Sequence, residues 1–159
     1  MNSRPSFPKF TPRQYLTVRF AVNKIFIHDQ LIRFSHCDPA GIVYFPRFFD
    51  LAHATMEDWF ASGVHSPLPN LIRDRRIGTP TVSIQCDFAL PLRMGDTLRF
   101  ELRVPKMGNA SVQLAYSGTK DGVEHLKIQQ TIVFMALDAG RAVSIPEDLR
   151  PRIEEYLVG

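Results

Sequence analysis

The side chain best suited to chemistry is Asp38, the only acidic residue in FSHCDPAGIVYFPRFF, residues 34–49. Its downstream neighbours, Arg47 apart, are apolar, aromatic, Gly or Pro. A carboxylate in such company must be solvated, paired or kept for a reaction. The stretch leads from a predicted strand into a predicted helix; Pro39 offers no donor and Gly41 lets the backbone bend. The first N–H groups of a helix lack internal acceptors and carry partial positive charge, so they suit a developing oxyanion and favour an ionised carboxylate nearby. Carboxylate plus oxyanion site is what hydrolysis of an activated acyl group requires. A plainer role is open as well, since Asp before Pro commonly caps a turn, and spacing by itself favours that role.

The flanking residues are weaker candidates. A nucleophilic Cys37 would need a His and an Asn or Asp partner, and no such pattern is present; it reads as a small buried thiol. His36 could act as a second base only if strand alternation, unbroken by a bulge, put it on the face of Asp38. It reads as a bystander.

The elements that must position Asp38 follow from periodicity. Pro46 suits a first helical turn, and Ala52, Met56, Trp59, Phe60 and Gly63 fall on one stripe at helical spacing, with Arg47, Asp50, Glu57 and Asp58 off it. Gly63, Pro67 and Pro69 predict the end of this helix. The rest reads as strand. One strand spans about 24–34, and Leu98, Phe100, Leu102 and Val104 alternate with polar residues. So do Val82, Ile84, Cys86 and Phe88, and Val112, Leu114 and Tyr116, while a fourth run extends from Leu126 to Leu137. Gly108-Asn109 and Asp121-Gly122 read as hairpin turns. Near the end, Ser144 reads as the cap of a short terminal helix. The plan is one strand, one long helix and four strands, an antiparallel sheet that hides its apolar face by wrapping a helix.

Composition narrows the function classes. A chain of 159 residues suits one domain that buries about 70% of its unfolded surface. No apolar run approaches the ~20 residues of a membrane span, so no membrane role is expected. Two cysteines, Cys37 and Cys86, are too few for a disulfide framework or a metal-ligand pattern, which points to a reduced compartment, no metal and a cytoplasmic setting. Net charge is +3. Arg4, Lys9, Arg13, Arg19 and Lys24 precede the first acid, Asp29, so residues 1–23 read as a basic extension outside the core and 24–159 as a single domain. Elsewhere Arg73, Arg75, Arg76, Arg93, Arg99, Arg103 and Lys106 alternate with acids. That is no nucleic-acid stripe, and it suits the few phosphates of a small anionic ligand better.

The stretch CDPAGIVYFPRFF resembles the signature of the 4-hydroxybenzoyl-CoA thioesterase family of hotdog-fold enzymes. The likeness extends to GTPTVS (78–83), PLRMGDTL (91–98) and GRAVSIPEDL (140–149), and covers the chain from about residue 24 onward. The resemblance implies an α+β hotdog fold, an antiparallel five-stranded sheet wrapped around one long central helix. It implies Asp38 as nucleophile or general base, and the backbone N–H of Phe45 as the donor that polarises the thioester carbonyl. Gly41 belongs to the substrate-binding turn, Thr79 matches a residue lining the acyl pocket, and Arg141 matches a base that meets CoA phosphates. The substrate is an acyl-CoA, with CoA as its leaving group and no separate cofactor, and family members are dimers or tetramers with active sites at subunit interfaces. His53 stands where relatives acting on a hydroxylated ring carry an acid, so benzoyl, other aryl and short acyl groups stay open alongside hydroxybenzoyl. Around Gly108-Asn109-Ala110 the basic cluster some relatives use for the nucleotide is missing, with Lys106 the nearest base.

Two other readings compete. A hotdog hydratase or dehydratase wants a His paired with a carboxylate for proton transfer at carbon, for which only His36 and Glu57 offer themselves. A non-catalytic acyl-thioester-binding module would not need Asp38, Gly41 and the helix start intact.

Overall fold

A computed structural model describes residues 24–158; the basic segment 1–23 lies outside the described residues. In chain order the strands are β1 (Phe26–Leu31), β2 (Ile77–Gly78), β3 (Thr81–Phe88), β4 (Thr97–Met107), β5 (Ser111–Lys120), β6 (Val123–Val133), β7 (Met135–Ala136) and β8 (Arg141–Ala142). The helices are α1 (Arg47–Asp58), α2 (Leu68–Arg73) and α3 (Arg150–Glu154). A five-stranded sheet runs β1-β4-β5-β6-β3, antiparallel at every pairing, and β2-β7-β8 form a small second sheet. No helix among the described residues is long and apolar enough to cross a membrane.

The core sits between α1 and one face of the large sheet. Alternation works as read on the central strands: Leu98, Phe100, Leu102 and Val104 of β4, Val112, Leu114 and Tyr116 of β5, and Leu126, Ile128 and Ile132 of β6 are buried. They meet Leu51, Ala52, Met56, Trp59 and Phe60 of the helix stripe. Each large side chain hidden in this way contributes about 1.5–3 kcal/mol of hydrophobic transfer. At the free edge, β1 ties itself to α1 with polar groups. Gln30 Nε2 donates to the Leu51 carbonyl at 2.6 Å and to Thr55 Oγ1 at 2.7 Å. His28 places one ring nitrogen 3.2 Å from Thr55 Oγ1 and the other 3.2 Å from Asp58 Oδ2.

Several elements differ from the sequence expectation. The apolar face of β3 is not covered. Ile84, Cys86 and Phe88 pair with Gln130, Ile128 and Leu126 and so share the inward face, yet Val82, Ile84 and Phe88 are exposed and Cys86 is only half-buried. Period-two alternation names a face; whether anything covers it depends on the strand's place in the sheet, and β3 is an edge. The central helix does end near Gly63, but through a widened π-type turn, Trp59–Gly63, in which the Val64 N–H reaches the Trp59 carbonyl at 2.8 Å. Pro67 and Pro69 do more than stop it: they open α2, since a proline in a first turn loses no hydrogen bond. The run through Leu137 breaks after Val133, and Met135–Ala136 join the small sheet instead. Ser144 does not cap the last helix. That helix begins at Arg150, and Ser144 Oγ instead accepts from Asn109 Nδ2 at 3.1 Å. The hairpin at Asp121-Gly122 is as expected, with both residues left-handed (φ 51° and 77°), the backbone that a two-residue turn between twisted strands requires.

Candidate active site

Asp38 lies in a compact turn between β1 and α1. After a 3₁₀ turn at Phe34–His36 the chain doubles back on itself through an antiparallel bridge between Cys37 and Val43. The Asp38 N–H donates to the Ile42 carbonyl, the Gly41 N–H to the Asp38 carbonyl, and the Tyr44 N–H to the His36 carbonyl, each at 2.9 Å. Gly41 carries φ 77°, a left-handed geometry that a side chain would strain. The Val43 N–H reaches the Leu92 carbonyl at 2.9 Å, which docks this turn on the loop between β3 and β4.

The turn uses one carboxylate oxygen of Asp38. Oδ1 accepts the Ala40 N–H at 2.8 Å, the Asx geometry expected of Asp before Pro. Oδ2 has no hydrogen-bond partner and no cation within 4 Å among the described residues. Capping and chemistry are therefore not rivals: one oxygen fixes the side chain and the other stays available. Half-buried Asp38 lines a cavity of about 500 Å³ with Phe34, Cys37, Pro39, Gly41, Arg93 and Met94. The walls are mostly apolar, with one carboxylate and one guanidinium.

At the helix entrance the N–H groups of Arg47, Phe48 and Phe49 find acceptors in Tyr44, Phe45 and Pro46. The Phe45 N–H has none among the described residues, as a donor reserved for an external oxygen would require. The Phe45 ring lies on an exposed aromatic ledge, edge-on to Tyr44 (centroids 5.5 Å apart) and to Phe88 of β3 (6.4 Å).

The remaining sequence candidates do not line this cavity. His53 is exposed on α1 and bridges Glu57 at 3.1 Å, one helical turn on. Thr79 is half-buried in the link between β2 and β3. Arg141 is exposed on β8, in register with Ala136, which pairs in turn with Ile77. In the small sheet, β7 stands between the β2 edge that Thr79 follows and the β8 edge that carries Arg141. Arg93 and Met94, on the other hand, do line the cavity and were not singled out by spacing. Both belong to PLRMGDTL, and Arg93 stood out otherwise only as one of the bases scattered among acids.

The environment removes other nucleophiles and bases. Cys86 is pushed up to about 11 by burial and by neighbouring Asp87, so its thiolate is scarce. Cys37 is half-buried, and among the described residues its thiol hydrogen-bonds only the Arg33 carbonyl, at 3.7 Å, not an imidazole. His36 is held below its ordinary 6.5 by burial first and then by Arg33 and Arg47, and its Nδ1 accepts the Arg33 N–H at 3.1 Å, a bond that needs the neutral ring. Glu57 is taken up by His53. The His–carboxylate pair a hydratase needs is absent among the residues of this cavity. No three His, Cys, Asp or Glu side chains among the described residues gather to hold a metal.

A depressed histidine has a consequence for stability. The unfolded chain binds a proton to His36 near pH 6.5 while the folded chain resists it, so the His36 contribution is complete above that pH and shrinks as pH falls toward the folded value. Thermal unfolding should therefore drop more steeply from about pH 7 to about pH 5 in the wild type than in His36→Gln. Equal slopes would remove His36 from the acid response.

A sheet of order β1-β4-β5-β6-β3 wrapped on a single long helix, with a carboxylate in the turn that leads into that helix, defines a hotdog-fold enzyme. The sequence profile of the thioesterase-like superfamily matches residues 32–153, and the chain belongs to that family of thioester hydrolases. It is similar to the 4-hydroxybenzoyl-CoA thioesterase of a Pseudomonas species, 28% identical over 76% of this chain and 91% of that protein. It is also 32% identical to a 1,4-dihydroxy-2-naphthoyl-CoA hydrolase of Synechocystis over half of this chain, a match that spans 56% of the relative. Among solved structures, a thioesterase-superfamily protein from Jannaschia sp. superposes with a TM-score of 0.79 at 26% identity, covering 95% of this chain and all of that one.

Proposed function

We propose that this protein hydrolyses aryl-CoA thioesters through Asp38. The observation that carries the reading is the half-used carboxylate: Oδ1 is locked by Ala40 and Oδ2 is unpartnered among the described residues, on a residue that lines an apolar cavity. In the general-base form, Oδ2 takes a proton from water as the oxygen attacks the thioester carbonyl. The Phe45 N–H then receives the oxyanion, a donor worth about 3 kcal/mol of transition-state stabilisation. Collapse expels the CoA thiolate and leaves the free acid. In the nucleophilic form, Oδ2 itself attacks, the CoA thiolate leaves as the C–S bond breaks, and water hydrolyses the resulting mixed anhydride to the free acid and Asp38. The apolar walls of Phe34, Pro39 and Met94 suit a flat hydrophobic acyl group, and the relatives named above act on aromatic acyl-CoA thioesters. CoA is the substrate's own leaving group, so the reaction needs no further cofactor. Two unpaired thiols and a CoA substrate support a cytoplasmic setting.

The reading is tested by thiol release on a CoA panel: benzoyl, the hydroxybenzoyl isomers, phenylacetyl and short aliphatic acyl groups. A preference for aromatic members with kcat/KM above ~10⁴ M⁻¹s⁻¹ is expected. Release from none of them overturns it. A single turnover in heavy-oxygen water that leaves label in Asp38 identifies the nucleophilic form, with water opening the anhydride at the Asp38 carboxyl carbon.

The proposal extends to assembly. Strand β3 is an unpaired edge with Val82, Ile84 and Phe88 exposed, continuous with the exposed Leu90, Tyr44 and Phe45. Soluble monomers seldom leave so long an apolar edge open. A homo-oligomer, dimer or tetramer, would cover it and supply Thr79, His53 and Arg141 of one copy to the Asp38 cavity of another. Ile84→Lys should give a smaller species in sedimentation and lose turnover with it. A monomeric, fully active wild type would end this part of the reading.

A further inference from the structure

Arg93 is mounted more firmly than an exposed side chain needs to be. Its N–H donates to Asp96 Oδ2 at 2.8 Å and its carbonyl accepts the Asp96 N–H at 3.1 Å. Asp96 Oδ1 is held by Lys120 Nζ at 2.7 Å, and this bond in particular keeps the Asp96 carboxyl below its usual range. Its neighbour Leu92 is fully buried, and Leu92 O receives the Val43 N–H from the catalytic turn. The backbone from which Arg93 projects is thus fixed to the same turn that carries Asp38.

The guanidinium itself is uncommitted. Arg47, Arg75, Arg76, Arg99 and Arg103 each hold a carboxylate, whereas Arg93 has no side-chain acceptor among the described residues. Asp38 and Arg93 line one cavity without pairing within 4 Å, so neither neutralises the other. Gly41 lies beside the guanidinium: a Cβ there would sit in ordinary contact, 3.8 Å from Arg93 Nη1. Otherwise the cavity is walled by Phe34, Cys37, Pro39 and Met94, which offer no anion.

We propose that Arg93 is a specificity-determining residue that hydrogen-bonds an oxygen substituent, hydroxyl or carboxylate, on the aromatic acyl group while Asp38 addresses the thioester. The inference rests on the aryl-CoA reading above and deepens it. A planar fork of N–H donors matches a phenolate or carboxylate, and a site built to bond a substrate oxygen discriminates strongly against the analogue that lacks it. The same guanidinium could in principle meet a CoA phosphate. The cavity argues for the acyl side, because Arg93 shares it with the carboxylate that addresses the thioester, whereas the nucleotide lies at the far end of the pantetheine arm.

The test compares wild type with Arg93→Gln on benzoyl-CoA and the three hydroxybenzoyl-CoA isomers, and on the matching N-acetylcysteamine thioesters, which carry no phosphate. Arg93→Gln removes charge from an exposed side chain and keeps the N–H that Asp96 holds, so folding should survive. Expected is a loss of about tenfold or more in kcat/KM on at least one hydroxylated acyl group, with benzoyl changed less than about threefold, and the same ratio on the cysteamine thioesters. An equal loss on all CoA thioesters that vanishes on the cysteamine series would assign Arg93 to a phosphate and overturn the proposal. No loss anywhere overturns it too. Binding of hydroxybenzoyl- and benzoyl-CoA to Asp38→Asn, with and without Arg93→Gln, is measured by calorimetry in parallel. That arm reads Arg93 even if wild type hydrolyses nothing, so failure of the hydrolase reading and failure of this one remain distinguishable.

Discussion

Asp38→Asn is expected to lower kcat by about 10³-fold on the best acyl-CoA, with KM nearly unchanged and unfolding temperature within a few degrees of wild type. The separation of activity from stability follows from the two oxygens. Asparagine keeps a carbonyl oxygen that can accept the Ala40 N–H, so the turn from Cys37 to Val43 survives. What disappears is the basic and nucleophilic oxygen at the cavity. Asp38→Ala makes the contrast sharper: it removes the Asx bond as well and should add about 1 kcal/mol of destabilisation to the same loss of rate. Wild-type kcat in Asp38→Asn, measured by thiol release on folded protein, would remove Asp38 from the mechanism.

Trp59→Ala should be the most damaging change to the fold, at about 3–5 kcal/mol, a large share of the 5–15 kcal/mol that holds a domain together. Trp59 is fully buried at the point where α1 widens into its π-type turn. It stands edge-on to Phe60 (5.0 Å) and to Tyr156 (5.7 Å), the residue that ties the C-terminal segment to β4 through the Val104 N–H. Gly63 is small because a Cβ there would lie 2.7 Å from Trp59 Cδ1 and 2.8 Å from Tyr156 Oη. Trp59→Phe should be far milder. The indole N–H is buried with no acceptor among the described residues, so the smaller ring leaves a cavity but also relieves an unsatisfied donor. Denaturant unfolding of the two variants checks both statements, and a Phe substitution as costly as Ala would refute the argument about the N–H.

How much of this was legible in the sequence depends on the range of the interactions involved. Period two on β4, β5 and β6 and period 3.6 on α1 are local signatures of one buried face, and the structure buries those faces. Asp121-Gly122 encodes its own turn through two left-handed residues. Asp38 in CDPAG stood out in the sequence because an isolated acid in an apolar run needs a reason. The sequence failed where position in the sheet decides. Val82, Ile84 and Phe88 alternate as well as any buried strand, yet lie open because β3 is an edge. Ser144 has the residue type of a cap, but Asn109, far away in the chain, takes its hydroxyl.

By itself, then, the sequence determined the central helix and the long strands, their order, the family, and a lone carboxylate at the turn into that helix. All of these rest on residue type and spacing along a few turns of chain. Only the tertiary structure decided which oxygen of Asp38 is free, which strand stands uncovered, and that Arg93 and Met94 share the Asp38 cavity while Thr79, His53 and Arg141 do not line it. The physical reason is contact between segments distant in the chain: the turn at 37–43 and the loop at 89–96 meet through single backbone hydrogen bonds such as Val43 to Leu92, and no local periodicity records such a meeting.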